Sequence, residues 1–446
     1  MACRLSIFAG ALSMAATVVH AQTVSTIARP EFCVSVSTDG LKRLEARRHR
    51  LELAIASKYG AAGAPEEARE KVDPSLRSSQ EELLQVLFRI ECARSIQPVL
   101  EPPLRRTREI RPAQAPTRAE VIEVTTYYAT NRNRSDSSEP AMVYGAEVEG
   151  KFQYGRALVT IPRTHTPGNL EMPSLWKLER QSDPNKHFVL KSVTPLTLDD
   201  ARREMSERLL GFSSKALLIF VHGYNTGFAE AAMRTAQIAH DLRFPGMPFF
   251  FSWPSANQVV SYWQDEEAAR LSERVFEELI EDLSTLPVTD IYIVAHSMGN
   301  RIVGHALQHR AEKGKETKQV RELLLAAPDI NANIFRTIIA PRLAAMQGTR
   351  TTIYAASSDV ALLASKVVHG FKRVGDARGG VFVYPGIDTV DASSAASAMR
   401  GYGHIYVVDN ASVMSDIRAI VDRKGAALAR GLTAVGASPH LYWRLP

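Results

Sequence analysis

Nine residues limit the fold more than any other part of this 446-residue chain. Ile291-Tyr-Ile-Val-Ala-His-Ser-Met-Gly299 is an apolar run that ends in a serine between small residues, and amphipathic helical spacing begins at once. An apolar run without alternation suits a strand buried on both faces, and therefore a parallel sheet enclosed by helices. A sharp strand-to-helix turn lifts the Ser297 hydroxyl out of the sheet edge, and Ala295 and Gly299 are small enough for strand and helix to approach closely. Ser297 is thus the candidate nucleophile; the alternative is a serine that only caps the helix.

A second apolar run, Leu217-Leu-Ile-Phe-Val, leads into His222-Gly-Tyr-Asn225. Backbone N–H groups at such a strand end can stabilise the oxyanion of acyl transfer, and the amides of Met298 and Tyr224 are the two candidates. The His222 side chain reads as a loop anchor. Beyond residue 120, strands alternate with helices, as in an α/β fold with a mainly parallel sheet covered on both faces. The strands are expected at 121–128, 156–161, 188–193, 217–221, 248–251, 291–294, 323–325, 351–355 and 381–384. Helices are expected at 227–243, 264–285, 298–313 and 412–423. The segments 129–153 and 163–187 read as loops.

Five motifs occur in order: Tyr128-Ala-Thr-Asn-Arg132, Phe220-Val-His-Gly-Tyr-Asn225, Phe251-Ser-Trp-Pro-Ser255, Ala295-His-Ser-Met-Gly-Asn300 and Ala326-Ala-Pro-Asp329. With them the chain resembles the α/β-hydrolase superfamily, and more narrowly a bacterial branch known only as a domain of unknown function. The resemblance covers about residues 120–422. It implies an α/β-hydrolase fold and a Ser-acid-His order, with each residue on a loop at a strand's C-terminal end. The base is then His404, in the Gly-flanked loop after the last strand; His369 and His440 are bland by comparison. The acid is Asp359, in the loop after 351–355, with Asp329 one strand earlier as the alternative and Asp388 and Asp391 weaker. Trp253 and Pro254 read as the site floor, Asp265 as a helix cap or a brace near Tyr224, and Asn131 and Arg132 as loop anchors. The implied activity is ester hydrolysis through an acyl-enzyme on a small or lipid-like ester, with lipase, amide or thioester cleavage and acyl transfer to an alcohol as alternatives that use the same residues, and it needs no metal or organic cofactor.

The amino-terminal third follows other rules. Residues 1–21 have the form of a signal peptide, with Arg4, an apolar stretch from Leu5 to Val19 and small residues at Val19 and Ala21. An exported, periplasmic or secreted protein is expected, with an uncleaved membrane anchor as the alternative. Residues 22–97 read as a helical hairpin, with Cys33 and Cys92 at positions suited to a disulfide in an oxidising compartment. Residues 98–119 form a linker rich in proline, with Arg105, Arg106, Arg108 and Arg111 as a weak contact for anionic envelope surfaces. The hydrolase domain takes 120–446. A net charge of +6, from 54 basic against 48 acidic residues, is too dilute to indicate nucleic-acid binding. The rival function is an envelope interaction protein that docks through the hairpin and keeps the hydrolase fold as scaffold.

Overall fold

The computed structural model describes residues 38–59, several positions between 79 and 89, and 121–445 apart from 174–181, 258–260, 358–361, 363–364, 366–370, 395–409 and 423–424. Near the amino terminus, helix α1 (Thr38–Tyr59) is followed by helical residues at 79, 82, 83, 85, 86 and 89. Arg47 donates to Glu82 across the gap at 2.6 Å, and Leu51 and Leu83 pack on the main core. Cys33, Cys92, the signal-like segment and the arginine-rich linker lie outside the described residues.

The remaining elements run β1 (Val121–Arg134), β2 (Tyr144–Pro162), β3 (Val189–Leu196), α2 (Leu198–Gly211), β4 (Ala216–Val221), α3 (Phe228–Asp241), β5 (Met247–Ser252), α4 (Tyr262–Leu283), β6 (Asp290–His296), α5 (Gly299–Glu312) and β7 (Val320–Ala326). A helical turn (Ala332–Ile334), a π-helical turn (Phe335–Ile339) and a helix (Ala340–Ala345) follow, and together form α6. Then come β8 (Arg350–Ala355), β9 (Ile387–Asp391), α7 (Ala411–Val421), β10 (Thr433–Val435) and β11 (Tyr442–Arg444). Among the described residues, eleven strands form one sheet in the order β10-β11-β9-β8-β7-β6-β4-β5-β1-β2-β3. From β11 to β1 every neighbouring pair is parallel; β2 and β10 add antiparallel partners towards the edges.

The central strands are apolar at successive positions because both of their faces are buried. Leu217, Ile219 and Val221 of β4 point into the core under α2, α4, α5 and α6, while Leu218 and Phe220 point into the core under α3 and α7. Two expectations need correction. Residues 129–153 are not merely a loop: β1 continues to Arg134 and pairs with β2 through two register shifts, Thr130/Arg132 and Arg132/Arg134. Residues 381–384 are not a strand of the sheet. Phe382 instead packs edge-on against Phe335 and under the Arg336 guanidinium, so its apolar character serves α6, and β9 starts after the left-handed turn at Gly386. Helix α2 and the β10–β11 hairpin are additions to the sequence reading.

Within 163–187, a histidine fixes the chain. His165 Nδ1 lies 2.8 Å from Glu171 and Nε2 lies 2.7 Å from Asp241. A ring with a carboxylate at each nitrogen is satisfied at both only as the doubly protonated imidazolium. Burial disfavours that charge, but the bonds to Asp241 and Glu171 prevail and raise the His165 pKa above its ordinary value. Such stability is fully present below the unfolded pKa, about 6.5, and is lost as pH rises through the folded one. The melting temperature of His165→Gln should therefore fall below wild type by several degrees at pH 6, with the gap narrowing as pH is raised. A gap that stays constant with pH would count against the charged clasp.

Candidate active site

Strand β6 ends at His296, and Ser297 takes a left-handed backbone with φ 50° before α5 begins at Gly299. Few non-glycine residues adopt this conformation without a surrounding structure that enforces it. Here the elbow is held on both sides. The Ser297 N–H donates to Ala326 O at 2.9 Å, and its carbonyl accepts from the Asn300 side chain at 2.9 Å and from the Asp329 amide at 3.3 Å. Asn300 Nδ2 also donates to Ala326 O at 3.0 Å, tying the first turn of α5 to the end of β7. Gly299 has no room for a side chain, because a Cβ there would sit 2.4 Å from His222 O. Met298 is fully buried at the N-cap of α5, so its amide lies ahead of the first intrahelical bonds.

The loop after β4 lies directly against this elbow. A Cβ built on Gly223 would be 2.8 Å from Ser297 Cβ and 2.9 Å from His296 Nδ1, which places Tyr224 one residue from the serine's immediate surroundings. His222 is buried and stacks on Trp253, with ring centroids 5.1 Å apart. Burial, with the nearby Arg132 charge, holds His222 well below its ordinary pKa, so the ring is neutral. Ser252 Oγ lies 3.3 Å from its Nε2, and Trp253 Nε1 donates to the His222 carbonyl at 2.7 Å. Trp253 is completely buried under the loop, so it supports the site from behind and does not form an exposed floor.

Asp329 follows β7 and is buried among partners. Tyr262 donates to its Oδ2 at 2.6 Å and Ser365 to its Oδ1. Arg373 Nε lies 3.2 Å from Oδ1, Arg301 Nη2 lies 3.7 Å from Oδ2, and Arg301 Nε donates to the Asp329 carbonyl at 2.6 Å. Arg301, one turn along α5 from Ser297, also pairs with Glu266. This network was not legible in the sequence, because its members are separated by up to about a hundred residues, as Tyr262 and Ser365 are at 103. The weaker acids are engaged elsewhere: Trp443 donates to Asp388 at 3.1 Å, and Asp391 accepts from Ser393. His440 is exposed, in a turn near the carboxyl terminus. Asp359, His369 and His404 lie outside the described residues. In chain order Asp359 follows β8, and His404 falls between β9 and α7.

Residues 198–423, just over half of the chain, match the model of a family described as "Alpha/beta hydrolase of unknown function (DUF900)". No curated protein matches the chain. Among solved structures, it is similar to a mutant of the esterase rPPE at 11% identity and a TM-score of 0.28, over 85% of this chain and 96% of that one. It is also similar to an esterase from Rhizomucor miehei, at 13% identity and 0.28 over 68% and 83%. A hyperthermophilic esterase from the archaeon Pyrobaculum calidifontis aligns at 10% and 0.28 over 87% and 99%. Superpositions this loose carry no weight; the fold rests on the strand order and the family match.

Proposed function

Because this chain belongs to that α/β-hydrolase family of unknown function, we propose that it is a serine hydrolase cleaving carboxylic esters. The observation that carries the reading is Ser297, held at φ 50° on a strand-to-helix elbow against the His222–Tyr224 loop. In the proposed reaction, Ser297 Oγ adds to the ester carbonyl carbon and gives its proton to His404, which Asp359 orients. The carbonyl π electrons move to oxygen, and the amides of Tyr224 and Met298 stabilise that oxyanion. Collapse breaks the ester C–O bond and returns the proton from His404 to the leaving alcohol. Water then adds to the acyl-enzyme by the same proton path, releasing the acid and restoring Ser297. Export after loss of residues 1–21 is part of the same proposal.

Labelling the purified protein with a fluorophosphonate and locating the adduct by peptide mass spectrometry tests it. The expected result is a stoichiometric adduct on Ser297 that disappears in heat-denatured protein and in His404→Ala. A folded sample with no adduct would overturn the hydrolase reading and turn attention to the amino-terminal helices as a docking element.

A further inference from the structure

Arg132 and Asp265 are both buried, and burial works against the charge of each. It pulls the Arg132 guanidinium down to about 9 and pushes the Asp265 carboxyl up, with each partly held in its charged form by the other. Buried charges of this kind are weak contributors to stability, and apolar residues of similar volume often serve a core as well. Their hydrogen bonds show what they hold. Arg132 Nη2 donates to Thr226 O at 2.9 Å, Nη1 to Gly145 O at 2.9 Å and to Ser255 O at 3.0 Å, and Nε to Ser252 Oγ at 2.8 Å. A planar guanidinium suits this, because its donors leave in fixed directions. The register shifts on either side of Arg132 in β1 are the kind of bulge that re-aims a side chain.

Asp265, in the first turn of α4, takes the other side of the loop. It accepts from the Asn225 amide at 3.1 Å, the Ala256 amide at 2.7 Å and the Ser255 hydroxyl at 2.5 Å. Ser255 Oγ in turn accepts from the Thr226 amide at 3.1 Å. Asn225 is in the left-handed region at φ 55°. The peptide unit of Tyr224 therefore lies between two fixed points, Gly223 against Ser297 and Asn225 against Asp265.

We propose that Arg132 and Asp265 are positioning residues for acyl transfer, a buried brace that sets the 223–226 loop so that the Tyr224 amide meets the oxyanion formed at Ser297. The proposal rests on the serine-hydrolase reading above. It also gives one purpose to three of the motifs, since Arg132, the His222–Thr226 loop and Ser252–Ser255 are parts of the same brace.

The test compares wild type with Asp265→Asn, Arg132→Lys and Ser255→Ala, with rates normalised by active-site titration so that misfolded protein does not count. Removing one oxyanion donor costs about 10²–10³ in turnover, so kcat per titrated site should fall by up to that factor with KM changed less than about threefold. Affinity for a trifluoromethyl ketone, which forms a tetrahedral adduct on the serine, should fall in step with kcat/KM. Ser255→Ala keeps both charges, and covers the case in which a charge variant does not fold; Ser255→Thr, which restores the hydroxyl, should recover most of the rate. If the variants lose thermal stability but keep per-site turnover and ketone affinity within twofold, the brace is structural only and the proposal falls. A wild-type protein that neither hydrolyses esters nor takes the label would instead overturn the hydrolase reading, and the brace with it.

Discussion

Ser297→Ala and His404→Ala are each expected to lower kcat for a chromogenic short-chain aryl ester by on the order of 10⁵–10⁶, and the double variant by no more than either alone. The non-additivity is the informative part. A nucleophile and its base act as one unit, so once the proton acceptor is gone the hydroxyl has little left to lose. The remaining rate would come from substrate binding and the oxyanion donors. Steady-state rates of the three variants, with protein folding checked by circular dichroism, decide the matter. Losses that multiply in the double variant would mean that His404 and Ser297 act independently and that the base lies elsewhere.

The second large effect concerns the two candidate acids. Asp329→Ala should cost about 3–5 kcal/mol, because it leaves buried arginine charge uncompensated. Arg373 is nearly inaccessible, and its ion pair is with Asp329, whereas Arg301 keeps Glu266. For a domain of this size the melting temperature should drop by on the order of 10 °C. Asp359→Asn should behave in the opposite way, leaving stability near wild type while kcat falls by about 10⁴, the loss seen when a triad carboxylate can no longer orient its histidine. Thermal melts and turnover measured side by side on the two variants assign the roles. If Asp329→Asn folds normally and loses the 10⁴, while Asp359→Asn stays active, the acid is Asp329.

What could be read without coordinates was whatever depends on neighbours in sequence. The Ser297 elbow, the apolar runs of β4 to β8 and the helices that follow β4, β5 and β6 all announce themselves within a dozen residues, because strand burial and helix amphipathicity are local patterns. Residues 381–384 misled for the same reason: a short apolar run looks alike whether it pairs in a sheet or packs on a helix, and Phe382 does the latter. The extension of β1 and β2 was hidden by glycine, asparagine and two register shifts, which mimic loop composition. Most pairings across the fold left no local trace; Asp265, legible as a helix cap or a brace near Tyr224, is an exception. Arg132 reaches Ser255, 123 residues away, and nothing near either residue specifies the other.

Three residues without the freedom of glycine hold left-handed backbone around one point: Asn225 after β4, Ser297 after β6 and Ala327 after β7. At Ser297 and Ala327 this costs roughly 1–2 kcal/mol relative to an ordinary conformation, a cost that glycine largely escapes and asparagine escapes in part. The candidate site is thus where this protein's robustness and its proposed chemistry pull in opposite directions. Ser297→Gly should resist denaturant better than Ser297→Ala by about 1 kcal/mol, measured from the urea midpoints, although both lack the hydroxyl. A selection for heat resistance alone would favour glycine at 297. That change would remove the hydroxyl on which the proposed reaction depends.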